Sequence, residues 1–227
     1  VNGRDVFIRG ANWIPDGSFP GEVTDARLRE RLTQARDAGL QMLRVWGGGQ
    51  YESETFYNLC DELGLLVWQD FPFACSSYPD DDVSFVRNVR HEASVQVRRL
   101  RHRVSLAMWC GGNENLELSQ GKWSGDRAPT RFFGERIIGE ILPSVLANED
   151  PKRMFLPNSP IGDAGEGNAQ NENFGTAHYW NVWHSKEPGS DGDWVNYRKS
   201  KCRFSSEFGF AAPAGQAAWR TAMAPSD

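Results

Sequence analysis

The chain has 227 residues, long enough to bury a sizeable core within one large domain. Its formal net charge is −5, with both signs spread along the chain and no basic block, which argues against a nucleic-acid partner. No apolar run approaches the roughly 18 residues of a membrane span, so no membrane partner is expected.

A first strand is predicted over 6–11. A helix follows, with Thr24 as its N-cap, Leu28, Leu32 and Ala35 on one face, and Gly39 as its stop. The second strand is predicted over 41–46. Ser53 opens a second helix that turns Phe56, Leu59, Cys60 and Leu63 inward and ends at Gly64. A third strand over 65–70 leads to a helix over 82–101. There Val83, Val86, Val89, Ala93, Val97 and Leu100 recur at steps of three and four, and the Arg-rich remainder reads as a solvated face. A fourth strand is predicted over 104–110. The next helix carries Phe133, Ile137, Ile141 and Val145, with Pro143 expected to kink or break it. Three more strands follow, over 153–157, 176–180 and 202–208, and a short helical pattern lies at 216–222. The segment 159–173 is rich in Gly, Asn and acidic residues and reads as a long surface loop.

The alternation of strand and helix argues for a parallel sheet, open or closed, and strands two to four read as buried on both faces. No internal linker divides the chain, so residues 1–227 are taken as one domain. Seven strands are counted. A complete eightfold barrel needs one more, and typically about 250 residues.

Polar and aromatic residues gather at the C-terminal ends of these strands, where parallel α/β proteins carry their sites. They include Asn12-Trp13, Arg44 to Gly49, Gln69-Asp70, Asn113-Glu114, Asn158, His178-Tyr179-Trp180 and Glu207. The run Gly47-Gly48-Gly49 lacks the Lys-Ser/Thr of a phosphate loop and reads as a tight turn beside a ligand. His178 has no metal-ligand partner at suitable spacing, and a supporting hydrogen-bond role suits it better. The four cysteines show no CxxC spacing and read as buried free thiols. Neither a metal nor a cofactor is expected. Trp13, Trp46, Trp68, Trp109 and Trp180 close apolar runs, as core packing would require, but aromatic rings at strand ends also line sugar sites. Glu114 and Glu207 stand out most. A carboxylate at the end of a buried strand is costly unless paired or put to use, and two that converge are the minimum equipment for cleaving a glycosidic bond.

The segments Trp-Cys-Gly-Gly-Asn-Glu-Asn (109–115) and Ser-Glu-Phe-Gly-Phe (206–210) resemble the acid/base and nucleophile motifs of glycoside hydrolase family two. Arg-Val-Trp-Gly-Gly-Gly, Trp-Gln-Asp-Phe, and His-Tyr-Trp followed by Val-Trp-His resemble its β-mannosidase branch. The likeness runs in order over essentially the whole chain. It implies a (β/α)8 TIM barrel that removes terminal β-mannosides from oligosaccharides or glycosides with retention. By that resemblance Glu114 is the acid/base, Glu207 the nucleophile, and Asn113 holds the sugar 2-hydroxyl. Trp46, Asp70 and Tyr179 fall at subsite positions, and Trp13, His178 and Trp180 are added as substrate contacts from their strand ends. Glu114 must then be protonated when the leaving oxygen departs, which apolar neighbours such as Trp109 and Trp46 would favour.

The chain departs from the family in two places. The family's N-terminal β-sandwich domains and its eighth strand have no counterpart, and the chain starts Val1-Asn2-Gly3-Arg4 without Met. A barrel cut before its eighth strand is therefore expected, a piece of a longer polypeptide with further domains and little activity alone. Two other readings stay open: another retaining exo-β-glycosidase, such as a β-galactosidase or β-glucuronidase, and a non-catalytic sugar-binding fragment.

Overall fold

Short apolar strands alternate with capped helices, and the pairing of the strands follows chain order. The computed structural model describes residues 3–120, 131–162, 171, 173–184, 193–209 and 220. In it β1 (Gly10–Trp13), β2 (Met42–Val45), β3 (Leu66–Asp70), β4 (Leu106–Cys110) and β5 (Met154–Leu156) form one parallel sheet in the order β1-β2-β3-β4-β5. A second parallel pair joins β6 (Ala177–Tyr179) to β7 (Ser205–Phe208). The chain is thus an α/β protein, as the alternation implies.

Parallel neighbours need a crossover, and helices supply the first three. Helix α1 (Asp25–Asp37) is capped by Thr24, α2 (Glu54–Leu63) by Ser53, and α3 (Val83–Leu100) by Asp82. Each cap side chain accepts a main-chain N–H of the first turn, a contact that stabilises a helix by about 1 kcal/mol. Gly64 ends α2 at φ +72°, a conformation open to a residue without a Cβ. Near Pro143 the expected break takes the form of a π-helical turn (Ile137–Ile141) that passes into α5 (Leu142–Glu149), as suits a residue whose ring nitrogen has no hydrogen to donate to the preceding turn.

The sheet is buried on both faces. Leu43, Val45, Val67 and Trp109 join the helices in the larger core, with Leu32, Phe56, Val97 and Leu142. Met42, Trp68, Met108 and Cys110 pack on the opposite face against Ile8 and Leu156. This alternation leaves a second row of inward residues, Arg44 and Asp70, at the C-terminal end of that face. The strand ends are tied further by single bridges, Ala74 to Asn113 and Asn113 to Ser159, and by Ile161 to Thr176. Asn12 of β1 also donates its amide to the carbonyl of Ser206, 3.2 Å away on β7.

Several expectations are corrected. The first strand forms at Gly10–Trp13 rather than 6–11, because the ladder selects the residues opposite the short β2, with Gly10 beside Met42. Phe7 stays exposed. Val83 begins the apolar stripe of α3 yet is 78% exposed, since it lies in the first turn, beyond the reach of the sheet. The Arg-rich face of α3 is solvated as expected, and it also forms surface ion pairs. Arg98 and Arg101 pair with Glu149 of α5, and Arg99 pairs with Glu54 of α2. Cys60 and Cys110 are buried thiols, whereas Cys75 is exposed. The pattern at 216–222 and most of the 159–173 loop lie outside the described residues. Among the described residues no helix is long and apolar enough to cross a membrane.

Candidate active site

The centre of the site is a buried arginine. Arg44 is 4% exposed, on a strand that is otherwise apolar. A buried charge must be paired and fully hydrogen-bonded. All five of its N–H donors are used: two to the Asp70 carboxylate at 3.2 and 2.8 Å, and one each to Asn12 at 3.3 Å, Glu207 at 2.8 Å and Asn113 at 2.9 Å. Its guanidinium also lies 5.3 Å from the centre of the Trp68 ring. Burial works against this charge, but Asp70 and Glu207 more than offset it and hold the group above its ordinary range. Asp70 in turn accepts from Trp68 Nε1 at 2.7 Å and from the main-chain N–H of Gly47 at 2.9 Å.

Glu114 follows β4 on a strained turn. Its backbone lies at φ +54°, ψ 13°, just before the short helix α4 (Asn115–Ser119). A left-handed conformation at a non-glycine residue costs of order 1–3 kcal/mol and persists where the surroundings over-determine it. Here the main chain does so. Glu114 N donates to Ser159 O at 2.8 Å, Ser159 N to Gly112 O at 2.9 Å, Asn113 N to Phe73 O at 2.8 Å, and Cys75 N to Asn113 O at 2.9 Å. The turn is thus clamped between the ends of β3 and β5. Gly111 and Gly112 permit the close approach: a Cβ at Gly112 would sit 2.5 Å from Phe73 O, and one at Gly111 would collide with Pro157 O.

Glu207 lies within strand β7, just past a shift of register at Ser206. The parallel pairing sets it opposite His178 of β6, so both side chains leave the same face. His178 Nδ1 stands 2.7 Å from Glu114 Oε1 and 3.3 Å from Glu207 Oε2. The three side chains offer atoms that all lie within 4.8 Å of one another, and all three residues are buried. Burial pushes the Glu207 carboxyl above its ordinary value, partly offset by His178 and Arg44, while the nearby Glu114 adds to the rise. The trio has the ligand types of a metal site. Yet a guanidinium already sits 2.8 Å from Glu207 and the ring nitrogen bridges the two acids, an arrangement suited to holding protons rather than a further cation.

These groups open onto a cavity of about 1140 Å³. Among the sequence-predicted residues, Trp46, Asn113, Glu114, His178, Tyr179, Trp180 and Glu207 line it. Trp13 and Asp70 do not. Trp13 packs on Phe56 of α2 and donates to Glu52 at 3.1 Å, and Asp70 is spent on Arg44. Trp109 is no wall of the cavity either: it faces the helices, stacked 5.2 Å from Phe71, and donates to Asp150 at 3.0 Å. Sequence reasoning assigned no role to Arg44, although a lone arginine inside Met-Leu-Arg-Val signals a charge that the interior must satisfy. It also passed over Cys75, whose thiol lies 3.6 Å from Glu114 Oε2.

Two buried carboxylates and a histidine at the C-terminal ends of parallel strands, facing a cavity with tryptophan in its wall, are the equipment of a glycoside hydrolase. β-Mannosidase B of Aspergillus clavatus is 36% identical over 225 residues, covering 93% of this chain and 25% of that protein. The β-mannosidase of Bos taurus is 38% identical over 223 residues, covering 92% of this chain and 24% of that protein. In structure, the β-D-mannosidase of Dictyoglomus thermophilum matches at a TM-score of 0.86 and 42% identity, over 95% of this chain and 25% of that one. Apo β-glucuronidase 3 of Bacteroides uniformis matches at a TM-score of 0.55 and 26% identity, over 68% of this chain and 19% of that one. No family model matches the chain. By sequence and fold the chain belongs to the β-mannosidase branch of glycoside hydrolase family two. It spans about a quarter of the length of the curated relatives it matches.

Proposed function

We propose that this chain carries the catalytic site of a retaining exo-β-mannosidase, and that its seven strands belong to a (β/α)8 barrel completed elsewhere in a longer polypeptide with further domains. The approach of Glu114 and Glu207 carries the reading. Their nearest oxygens fall within the 4.8 Å span of the trio, closer to the roughly 5–5.5 Å of retaining enzymes than to the 6.5–9.5 Å that leaves room for a water in inverting ones.

In the first step a Glu207 oxygen attacks the anomeric carbon. The glycosidic C–O bond breaks, and Glu114 gives its proton to the leaving oxygen. In the second step Glu114 takes a proton from water as the water oxygen attacks the same carbon, and Glu207 leaves as carboxylate. The Arg44 guanidinium at 2.8 Å supports the ionised nucleophile. The Asn113 side chain, fixed by Arg44 at its oxygen, is proposed to offer its amide to the sugar 2-hydroxyl. Trp46, Tyr179 and Trp180 form the aromatic wall on which a pyranose face would pack. Asp70 and Trp13 are not proposed as sugar contacts.

The test uses the intact polypeptide with nitrophenyl β-mannoside, β-galactoside, β-glucoside and β-glucuronide. The β-mannoside should be turned over fastest, and NMR should show β-mannose as the first-formed sugar. Glu207→Ala should abolish turnover. Glu114→Ala should keep activity on good leaving groups and form β-mannosyl azide when azide is added. Release of the α-anomer first, or identical responses of the two variants, would overturn the role assignment. A preference for the β-glucuronide would move the chain to another substrate class.

A further inference from the structure

Behind His178, on the side away from the carboxylates, stands a buried cluster of hydroxyls. Ser159 Oγ lies 3.1 Å from His178 Nε2, 2.8 Å from Ser206 Oγ and 3.3 Å from Thr176 Oγ1. Ser159 is fully buried, and the His178 side chain has no exposed surface. In such a place every ring nitrogen needs a partner of the right kind.

Hydrogen counting decides the arrangement. Nδ1 faces one carboxylate oxygen of Glu114 at 2.7 Å and one of Glu207 at 3.3 Å. With both carboxylates ionised, a bare Nδ1 would set its lone pair against theirs, so in that state the hydrogen belongs on Nδ1. Nε2 of the neutral ring is then an acceptor and requires a donor. Ser159 has one O–H to give and two lone pairs, and its three neighbours match that inventory: it donates to His178 and accepts from the hydroxyls of Thr176 and Ser206, the latter 2.8 Å away and nearer to Ser159 than to its other acceptor, Ala177 O at 3.4 Å.

We propose that Ser159 is a positioning residue that fixes the His178 tautomer, so that one ring N–H is shared by the acid/base and the nucleophile. This rests on the roles of Glu114 and Glu207 proposed above. Among the described residues, the groups facing His178 include Glu114 from the end of β4, Glu207 from β7 and Ser159 from the segment after β5. Arg44 and Asp70 stand behind Glu207, and the Cys75 thiol stands beside Glu114. An N–H directed at both carboxylates favours their ionised forms and draws them together. Without the Ser159 hydroxyl the ring loses its rear anchor and both carboxylates lose part of that support.

Two measurements on the intact polypeptide test this. The first is the 15N spectrum of the histidines, with the His178 signals identified by their loss in His178→Gln. Wild type should show a protonated Nδ1 and an unprotonated Nε2 at neutral pH, and the reverse overturns the proposal whether or not the protein is active. The second is the pH profile of kcat/KM. Ser159→Ala should move both limbs upward by about half a pH unit, the equivalent of one weakened hydrogen bond, with KM little changed. Ser159→Thr, which keeps the hydroxyl, should restore the limbs. Limbs that superimpose on wild type overturn the proposal. If Ser159→Ala fails to fold, the wild-type 15N result and the Ser159→Thr profile decide it. Wild-type turnover in Glu114→Gln would instead sink the catalytic reading and leave the tautomer assignment standing.

Discussion

The two carboxylates of the site are held by different means. Glu114 sits on a strained turn that main-chain hydrogen bonds from the ends of β3 and β5 clamp in place. Glu207 sits on strand β7, and side chains aim it: the charged Arg44 from β2 and the His178 ring from β6, which also meets Glu114. The clamp has no titrating member, so it holds Glu114 in the same place whether that group is acid or base. The charged frame favours one ionisation state of Glu207, the state a nucleophile needs. The contrast matches the proposed roles, one group that must change its proton and one that must stay ionised.

Removing the charged frame should have the largest effect. Arg44→Met would leave Asp70 and Glu207 buried without their cation. Breaking a buried pair in this way typically destabilises by about 3–5 kcal/mol. Chemical denaturation of the intact polypeptide should show a loss of that order, together with loss of turnover. Glu114→Gln, which leaves the main-chain clamp intact, should change stability by less than about 1 kcal/mol. Equal losses in the two variants would erase the distinction.

The clamp can be broken from the other side. In Gly112→Ala the new methyl group would lie 2.5 Å from Phe73 O and 3.0 Å from Phe73 Cβ. Overpacking of this kind costs about 1–3 kcal/mol. It should also push the Glu114 turn away from Glu207, and a displacement near 1 Å can lower turnover by about a hundredfold. The expected signature is a fall in kcat with a smaller change in KM. A variant with wild-type kcat would show that the glycines do not fix the turn.

The first three helices were legible in the sequence, because each carries a capping side chain, α1 and α2 stop at a glycine, and the strands between them are short apolar runs. Thr24, Ser53, Gly64 and Asp82 do what their side chains or bare Cα allow. The edges were harder to read. Val6 to Ile8 are more apolar than Gly10 to Trp13, yet pairing with β2 chose the latter. The locations of Glu114 and Glu207 at the cavity could be anticipated from their strand ends. The frame around them could not. Arg44 meets Glu207 across 163 residues, and Ser159 meets His178 and Ser206 from a segment that reads as loop. Trp13, Asp70 and Trp109 show the same limit. A residue at a strand end may turn to the cavity, the helices or a buried partner, and only the facing residues decide which.

The smallest expected effect concerns the pH dependence of the Glu207 frame. Burial raises this carboxyl above its ordinary value more strongly than His178 and Arg44 lower it. For an acid with a raised folded-state value, the associated stability is fully present below the ordinary carboxylate range and is lost as pH rises through the raised value. Glu207→Gln carries no titrating proton there and can still accept from Arg44. The melting temperature of the variant relative to wild type should therefore increase from acid to neutral pH, in paired melts across that window. The same cause should set the acidic limb of kcat/KM above the ordinary glutamate range, since the nucleophile must lose its proton to act. A gap that shrinks as pH rises would mean that Arg44 and His178 outweigh burial, and the nucleophile would then be ionised below its ordinary range. Glu114→Gln should shrink that acidic trend without abolishing it, because the nearby Glu114 adds to the rise while burial remains its larger cause.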